Sequence, residues 1–198
     1  MMKLSSALLV VAISLPVSAS AASWEIDPVH SNVGFAVRHM VVSTVRGEFG
    51  KISGTVVYDE KDAAKSSVDV SIDVSSITTR NEQRDGHLKG PDFFDVQKFP
   101  TMTFKSTKVE KLGKGKLKVQ GDLTLHGATK SVVLEVTGPT AEVKGPMGKF
   151  IMGASAEGKL NRKDFGVSFN KVLEGGGLMV GDEVSITIDL ELDKKDAT

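Results

Sequence analysis

The sequence predicts an all-β protein, an antiparallel β-barrel of about eight strands with a short helical insert near residues 79–96. Apolar and polar residues alternate with period two in eight segments, as they do in half-buried strands. The gaps between most of these segments are short turn-like clusters that leave no room for helical crossovers, so antiparallel connections follow. One apolar face per strand suits a sandwich or a closed barrel, and about eight strands close around space for one small ligand.

The predicted strands, in chain order, are 32–40, 49–59, 67–74, 101–106, 116–125, 131–136, 150–160 and 184–192. In the first of them Val33, Phe35, Val37 and His39 share one face. Small residues recur between large ones on the inward faces of later strands, at Gly54, Gly121, Ala154, Ala156 and Gly158. Such residues either leave space in the centre of the barrel or mark bends at its corners, and both readings are compatible with a barrel.

The insert interrupts the strand pattern and has helix signals at both ends. Thr79 followed by Glu82 has the form of a capping box and predicts a short helix over about 80–88. Gly90 and Pro91 then stop the helix. The polar half of the insert contains Arg80, Arg84, Asp85 and His87, and the apolar half contains Phe93, Phe94 and Phe99. This composition is typical of the entrance to a hydrophobic cavity.

Residues 1–22 have the pattern of a secretory signal peptide. Lys3 precedes an apolar run over 7–17, and small residues at 19–21 predict cleavage after Ala21 or Ala22. A membrane anchor is the alternative, but the run is shorter than the roughly 20 residues of a spanning helix. We therefore expect a periplasmic or secreted protein with no stable membrane insertion, in which 23–193 form the barrel and 194–198 a polar tail.

Charge and cysteine content exclude several classes of function. The chain has 25 basic and 25 acidic residues, whereas nucleic-acid binding requires a basic surface, so nucleic acid is not expected as a partner. It has no cysteine, which excludes disulfides and a lipidated N-terminal cysteine. None of the four histidines has the close spacing of a zinc site, although a metal site assembled across strands stays open. Neither a nucleophile elbow nor a phosphate loop is present, so no enzyme is predicted.

Motifs along the whole predicted barrel resemble the YceI-like family. They are DPVHS at 27–31, FAVRH at 35–39, RGEF at 46–49, RDGHL at 84–88, FFD at 93–95 with FP at 99–100, LTLHG at 123–127, NRKDFG at 161–166 and VGDEV at 180–184. The resemblance implies a lipocalin-like barrel whose interior binds a long-tailed amphiphile such as a polyisoprenoid, a prenyl phosphate or a quinone. It implies no cofactor other than this bound lipid. Members of the family are often exported and several are dimers, so a homodimer is also an expectation.

The resemblance and the strand pattern together select the candidate lipid-binding residues. They are Phe35, Val37, His39, Phe49, Arg84, His87, Leu88, Phe93, Phe94, Phe104, Phe165 and Phe169. An anionic head group would be bound by Arg38, Arg80, Arg84 and His87, since guanidinium groups bind phosphate through bidentate, charge-assisted bonds. Each assignment has a structural alternative: Arg84 and Asp85 can pin the insert to the barrel, His39 can be a core histidine, and His30 and His126 can stabilise turns.

Two other classes of function stay open beside the lipid carrier. The Arg84, Asp85 and His87 group has residue types capable of acid-base chemistry on a bound isoprenoid lipid, although no nucleophile accompanies it. The barrel could instead be filled by its own side chains, as in a stress-protective secreted protein without a carrier role.

Overall fold

A computed structural model describes residues 21–146 and 148–196. Most of the predicted signal peptide and the last two residues of the predicted tail lie outside this part. The strands are β1 Ala22–Ile26, β2 Asn32–His39, β3 Ser43–Phe49, β4 Ile52–Tyr58, β5 Ser67–Asp73, β6 Ile77–Thr78, β7 Thr101–Gly113, β8 Lys116–Leu125, β9 Ala128–Thr137, β10 Val143–Lys144, β11 Phe150–Asn161 and β12 Val180–Lys194. Within the described residues there is one helix, α1, over Glu82–Lys89, and short 3-10 segments cover Ala63–Lys65, Val74–Ser76 and Arg162–Phe165.

Eight of the strands close into an antiparallel ring. The order around the ring is β1, β4, β5, β7, β8, β9, β11 and β12, and β12 pairs with β1 again. The register agrees with the alternation in the sequence, because in β8 Leu117, Val119, Leu123 and Leu125 are buried and point to the interior. The predicted antiparallel barrel is therefore confirmed.

Three positions around the ring are occupied by strands that are interrupted and then continue. β1 and β2 are two pieces of one interrupted strand, and both pair with the edge of β12 that faces away from β11. In the same way, β3 and β4 pair with β2 and β1, and β6 and β5 pair with β3 and β4. The interruptions lie at 27–31, 50–51 and 74–76, next to one another across the sheet. Asp73 caps the last of them, because its side chain accepts a hydrogen bond from the backbone N–H of Ser75.

Several element bounds differ from the sequence prediction. The bounds of β8 agree, but β7 extends to Gly113 and β12 begins at Val180. The short strands β1, β6 and β10 were not predicted, and β3 was missed except for its last residue. In β3, Arg46 and Glu48 face outward between Val45, Gly47 and Phe49, and the glycine weakens the apolar alternation.

The helical insert is confirmed, but its N-cap is not Thr79. Asn81 caps α1, because its side-chain oxygen accepts a hydrogen bond from the backbone N–H of Arg84. Arg80 has a φ of 60°, a left-handed conformation that separates Thr79 from the first helical turn. Thr79 instead bonds to side chains of α1, as described below. The helix ends at Gly90, as predicted.

The two ends of the barrel are built differently. At one end lie the 40–42 turn, the 79–100 insert, the 126–127 turn and the 162–179 segment; we call this end the mouth. The other end has the 59–66 and 113–115 turns and the described residues of the connection between β9 and β11, 138–146 and 148–149. The core between them includes Trp24, the only tryptophan, which is 1% exposed. None of the helices in the described part of the chain is long and apolar enough to span a membrane.

Candidate functional site

The barrel encloses a hydrophobic cavity of about 550 Å³. Its wall is formed by inward-facing side chains from strands all around the ring. Representative aliphatic members are Val33, Ile52, Val70, Val119, Leu134, Met152, Ala156, Ile188 and Leu192. The volume falls within the range of pockets that bury a small-molecule ligand. An apolar cavity of this size departs from the close packing of ordinary protein cores, which indicates a binding site for an apolar ligand.

The small inward-facing residues divide into two groups. A Cβ added at Gly54, Gly121 or Gly158 would meet backbone of the neighbouring strand, for example the carbonyl oxygen of Lys105 at 2.6 Å from position 121. These glycines therefore mark sites of close strand approach. In contrast, Ala154 and Ala156 line the cavity and leave space inside it. The interpretation that small residues leave space in the centre thus holds for the two alanines, whereas the three glycines are explained by close contact between neighbouring strands.

All charged side chains that line the cavity within the described chain are basic or histidine. They are Arg38, His39, Arg84, His87, Arg162 and Lys171. These residues belong to the mouth end, where β2 ends, α1 lies and the 162–179 segment passes. Arg38, Arg84, His87 and Lys171 are exposed, so the cavity reaches solvent here. The site thus combines an apolar interior with an electropositive entrance.

Eleven of the twelve candidate residues line the cavity: Phe35, Val37, His39, Phe49, Arg84, His87, Leu88, Phe93, Phe94, Phe104 and Phe169. Phe165 does not. It is 1% exposed and lies in the 3-10 segment after β11, where its carbonyl oxygen faces the ring of His126 at 3.3 Å. Its place outside the wall follows from this turn, which leaves the barrel alternation. Arg80, a candidate for the head group, is exposed and does not line the cavity.

An aromatic cluster forms part of the mouth. His87 of α1 meets Phe93 and Phe169 edge-on, with ring centroids 5.0 and 5.1 Å apart, and the two phenylalanines are 5.0 Å from each other. The other edge of His87 is held by Asp92, with Nε2 2.9 Å from its carboxylate. Such aromatic pairs are favourable beyond their buried area. The cluster joins the insert to the loop that carries Phe169.

The alternative role of Arg84 and Asp85, pinning the insert, is the one that their contacts show. Arg84 donates from Nε to Thr79 Oγ1 at 2.7 Å and from Nη2 to the Thr79 carbonyl at 2.8 Å. The Asp85 carboxylate accepts from the backbone N–H and hydroxyl of Thr79 and from the hydroxyl of Thr78. Burial alone would raise the pKa of Asp85, but these hydrogen bonds outweigh it and hold the pKa below its usual value.

Arg162 is a site residue that the sequence did not single out. It is 5% exposed and donates to the carbonyl oxygens of Val167 at 2.7 Å, Phe169 at 2.9 Å and Gly181 at 2.9 Å, with a longer bond to Val180. Burial lowers the pKa of its guanidinium, and Asp182 at 3.4 Å partly offsets this. Arg162 therefore fixes both ends of the 166–179 loop over the mouth.

A second cluster lies in the interruption between β1 and β2. Ligand-type atoms of Asp27, His30 and Glu191 lie within 4.8 Å of one another. His30 Nδ1 is 2.6 Å from Asp27, whose other carboxylate oxygen accepts from the backbone N–H of Val29. The hydrogen bond raises the pKa of His30 and lowers that of Asp27. These contacts show His30 in the turn-stabilising role that the sequence suggested, and His30 itself is exposed.

The fold and the site define a class of protein: closed antiparallel barrels with one hydrophobic, ligand-sized cavity that opens at an electropositive mouth. The sequence profile of the YceI-like domain matches residues 24–192, and the chain belongs to this family. A UPF0312 protein of Vibrio cholerae is 40% identical over 159 residues, which cover 78% of this chain and 82% of the relative.

The solved structures that are similar to this barrel include the following two. BcnA of Burkholderia cenocepacia has a TM-score of 0.72 and 26% identity, covering 84% of this chain and 98% of its own. A domain from Saccharophagus degradans, described as polyisoprenoid-binding and implicated in plant cell wall breakdown, has a TM-score of 0.62 and 16% identity. It covers 88% of this chain and 99% of its own, and at this identity the likeness concerns the fold. The lipocalin-like barrel and the family resemblance predicted from the sequence are thus confirmed.

Proposed function

We propose that this protein is exported to the periplasm, where it sequesters or carries a long-tailed amphiphile in the barrel. The ligand class is a polyisoprenoid, a prenyl phosphate or a quinone. The observation that carries the proposal is the 550 Å³ apolar cavity with its basic mouth. The polyisoprenoid-binding description of the Saccharophagus degradans domain supports the same ligand class.

The cavity wall accounts for binding of the tail. Each buried methylene contributes about 0.8 kcal/mol, so one five-carbon isoprene unit moved from water gains roughly 3 to 4 kcal/mol. A tail of a few units supplies ample affinity, but it does so for any lipid of similar length. Tail burial therefore supplies affinity and selects only for tail length, and the mouth selects the head group.

The charges at the mouth favour an anionic head. Arg38, His39, Arg84, His87 and Lys171 line the entrance, and no acidic side chain of the described chain lines the cavity with them. Among the candidate lipids, a prenyl phosphate matches this charge best, because phosphate forms charge-assisted hydrogen bonds with guanidinium and ammonium groups. A neutral quinone would use these residues only as hydrogen-bond donors.

The two alternatives have less support. Acid-base chemistry by the Arg84, Asp85 and His87 group is disfavoured because Arg84 and Asp85 are bonded to Thr79, and His87 to Asp92. A barrel filled by its own side chains, the premise of a stress-protective protein without a carrier role, conflicts with the 550 Å³ cavity.

Native mass spectrometry of protein purified from the periplasm of its host tests the proposal. We expect a mass excess that dissociates as a lipid with a long apolar tail, and a protein mass that begins after Ala21 or Ala22. The same spectrum reports whether the protein is a homodimer, which stays a prediction. Protein that is repeatedly empty, and that also fails to take up geranylgeranyl phosphate or a ubiquinone, would refute the carrier function.

A further inference from the structure

Two loops at the mouth expose an unusual number of hydrophobic side chains. We call the 40–42 turn and the 172–178 loop together the mouth tip. In the turn, Met40, Val41 and Val42 are 40%, 70% and 83% exposed; in the loop, Val172 and Leu178 are 76% and 38% exposed. Within the described chain these are five of the ten large hydrophobic residues that are exposed. Isolated exposed hydrophobic residues are common, but a contiguous apolar patch marks an interaction surface.

The two loops are one structural unit. The backbone N–H of Met40 donates to the carbonyl oxygen of Met179 at 2.8 Å, which joins the turn to the end of the loop. The Cγ2 atom of Val41 lies 3.9 Å from the position that a Cβ on Gly177 would occupy. Arg38 stabilises the turn, with Nη2 2.5 Å from the Val41 carbonyl oxygen. Since Arg38 and Met179 also line the cavity, the mouth tip is continuous with its entrance.

The turn keeps its hydrophobic residues in a backbone conformation that suits them badly. Met40 and Val41 have φ values of 52° and 61°. This left-handed region favours asparagine and glycine, and a β-branched residue such as Val41 is a clear outlier there. Asn or Gly at these positions would lower both the backbone strain and the exposed apolar area. The turn thus combines backbone strain with exposed apolar side chains, and this combination indicates a binding partner for these side chains.

Charges around the mouth tip identify the partner. Arg38 and Lys171 are exposed and directly adjoin the turn and the loop. Glu174 is the acidic residue of the loop itself, and nearby Asp182 is paired with Lys163 at 2.9 Å and with Arg162. An apolar tip with a basic flank matches the interfacial region of a bilayer that contains anionic lipids, where hydrophobic side chains enter the acyl boundary and cations meet head groups.

We propose that the mouth tip docks onto the surface of a bilayer containing anionic lipids, so that a lipid tail passes between bilayer and cavity without crossing water. This inference rests on the proposed lipid-binding function and adds the route of loading to it. Docking is peripheral and reversible, because the two loops reach only the interfacial region. It accounts for the position of the exposed hydrophobic side chains at the cavity entrance.

Vesicle flotation of the mature protein tests the inference. The vesicles are phosphatidylcholine alone and phosphatidylcholine mixed with phosphatidylglycerol. The test variant is the double substitution Val41→Asn and Val172→Asn, neither of which lines the cavity. Asparagine tolerates the positive φ at 41, so this variant should fold at least as well as the wild type. The matched control is Val143→Asn, an exposed valine at the opposite end of the barrel.

We expect the wild type to float with the mixed vesicles and to bind pure phosphatidylcholine more weakly. The double variant should lose roughly tenfold or more in partitioning, whereas Val143→Asn should behave like the wild type. Uptake of geranylgeranyl phosphate from detergent micelles, followed by native mass spectrometry, should be the same in all three proteins. This second measurement separates docking from the cavity's own binding.

Three outcomes would overturn the inference. Equal flotation of the double variant and the wild type would show that the mouth tip is not the docking surface. A wild type that loads lipid from micelles but never floats would refute docking and leave the proposed function intact. A wild-type dimer that becomes monomeric in the double variant, without vesicle binding in either, would assign the mouth tip to contact with a second copy of the chain.

Discussion

Filling the cavity from its wall should stabilise the empty protein and weaken binding of a long tail. Ala156 lies on the inner face of β11, opposite Val136 and Ile188 on the two neighbouring strands, and lines the cavity. Ala156→Leu adds three carbons to space that is already present. At about 0.8 kcal/mol per buried carbon, the ligand-free protein should gain about 2 kcal/mol in unfolding free energy. The same carbons occupy volume needed by the tail, so the dissociation constant of geranylgeranyl phosphate should rise roughly thirtyfold.

Urea unfolding followed by Trp24 fluorescence measures the first effect, because this single tryptophan is buried in the core. Isothermal titration with the lipid delivered in micelles measures the second. Ala36→Leu is the control, because Ala36 alternates with the wall residues Phe35 and Val37 and does not line the cavity. This substitution should change the unfolding free energy by no more than about 0.5 kcal/mol. An Ala156→Leu protein that is destabilised by more than about 1 kcal/mol and binds the lipid normally would refute the assignment of the cavity.

Three further predictions concern the mouth and the interrupted strands. Arg162→Met removes the donors to several buried carbonyl oxygens, so unfolding free energy should fall by about 3 kcal/mol or more, and amide exchange should accelerate over 166–179. Asp85→Asn should destabilise the protein by about 1 to 2 kcal/mol at neutral pH. Since the pKa of Asp85 is lowered on folding, the difference in stability between wild type and variant should shrink as the pH falls through the folded-state pKa of Asp85. The pKa of His30 is raised on folding by the hydrogen bond to Asp27. The contribution of His30 to the free energy of unfolding is therefore complete below about pH 6.5 and is lost as the pH rises through the folded-state pKa. His30→Gln should therefore destabilise the protein at about pH 5.5 and have no effect near about pH 9.

Each of these has a simple contrary result. Unchanged exchange over 166–179 in Arg162→Met would show that other contacts hold the loop. An Asp85→Asn variant with unchanged unfolding free energy would mean that the amide replaces the carboxylate as the acceptor for Thr79. A constant difference between His30→Gln and the wild type across pH would assign the role of His30 to packing and not to its charge.

The barrel could be predicted because each long strand buries one face. In β8 and β11, alternation over ten or more residues leaves no other regular structure that buries the apolar side. The interrupted strands were harder, because a break resets the alternation and the pieces, such as Ile77–Thr78, become too short to show a period. The helix cap was ambiguous for a similar reason: Thr79 and Asn81 are both good capping residues, and only the positive φ of Arg80 decides between them.

The site was predictable where it lies on strands and less so where it lies on loops. Phe35, Val37 and Phe104 reach the cavity because strand alternation fixes their direction. Phe165 looked equivalent in the sequence, but a 3-10 turn directs it elsewhere. Arg162 could not be identified, since arginine is usually exposed and its partners are carbonyl oxygens, which no sequence pattern displays.

The closure of the ring by β12 has a consequence for how the barrel folds. β12 pairs with β11 on one edge and with β1 and β2 on the other, for example Lys194 with Trp24. Contacts between residues so far apart in sequence give a high contact order, for which folding is slow. Until β12 is in place, β11, β1 and β2 each have an unpaired edge that can associate with other chains. We therefore expect barrel closure to be a late, concerted step that protects both edges at once.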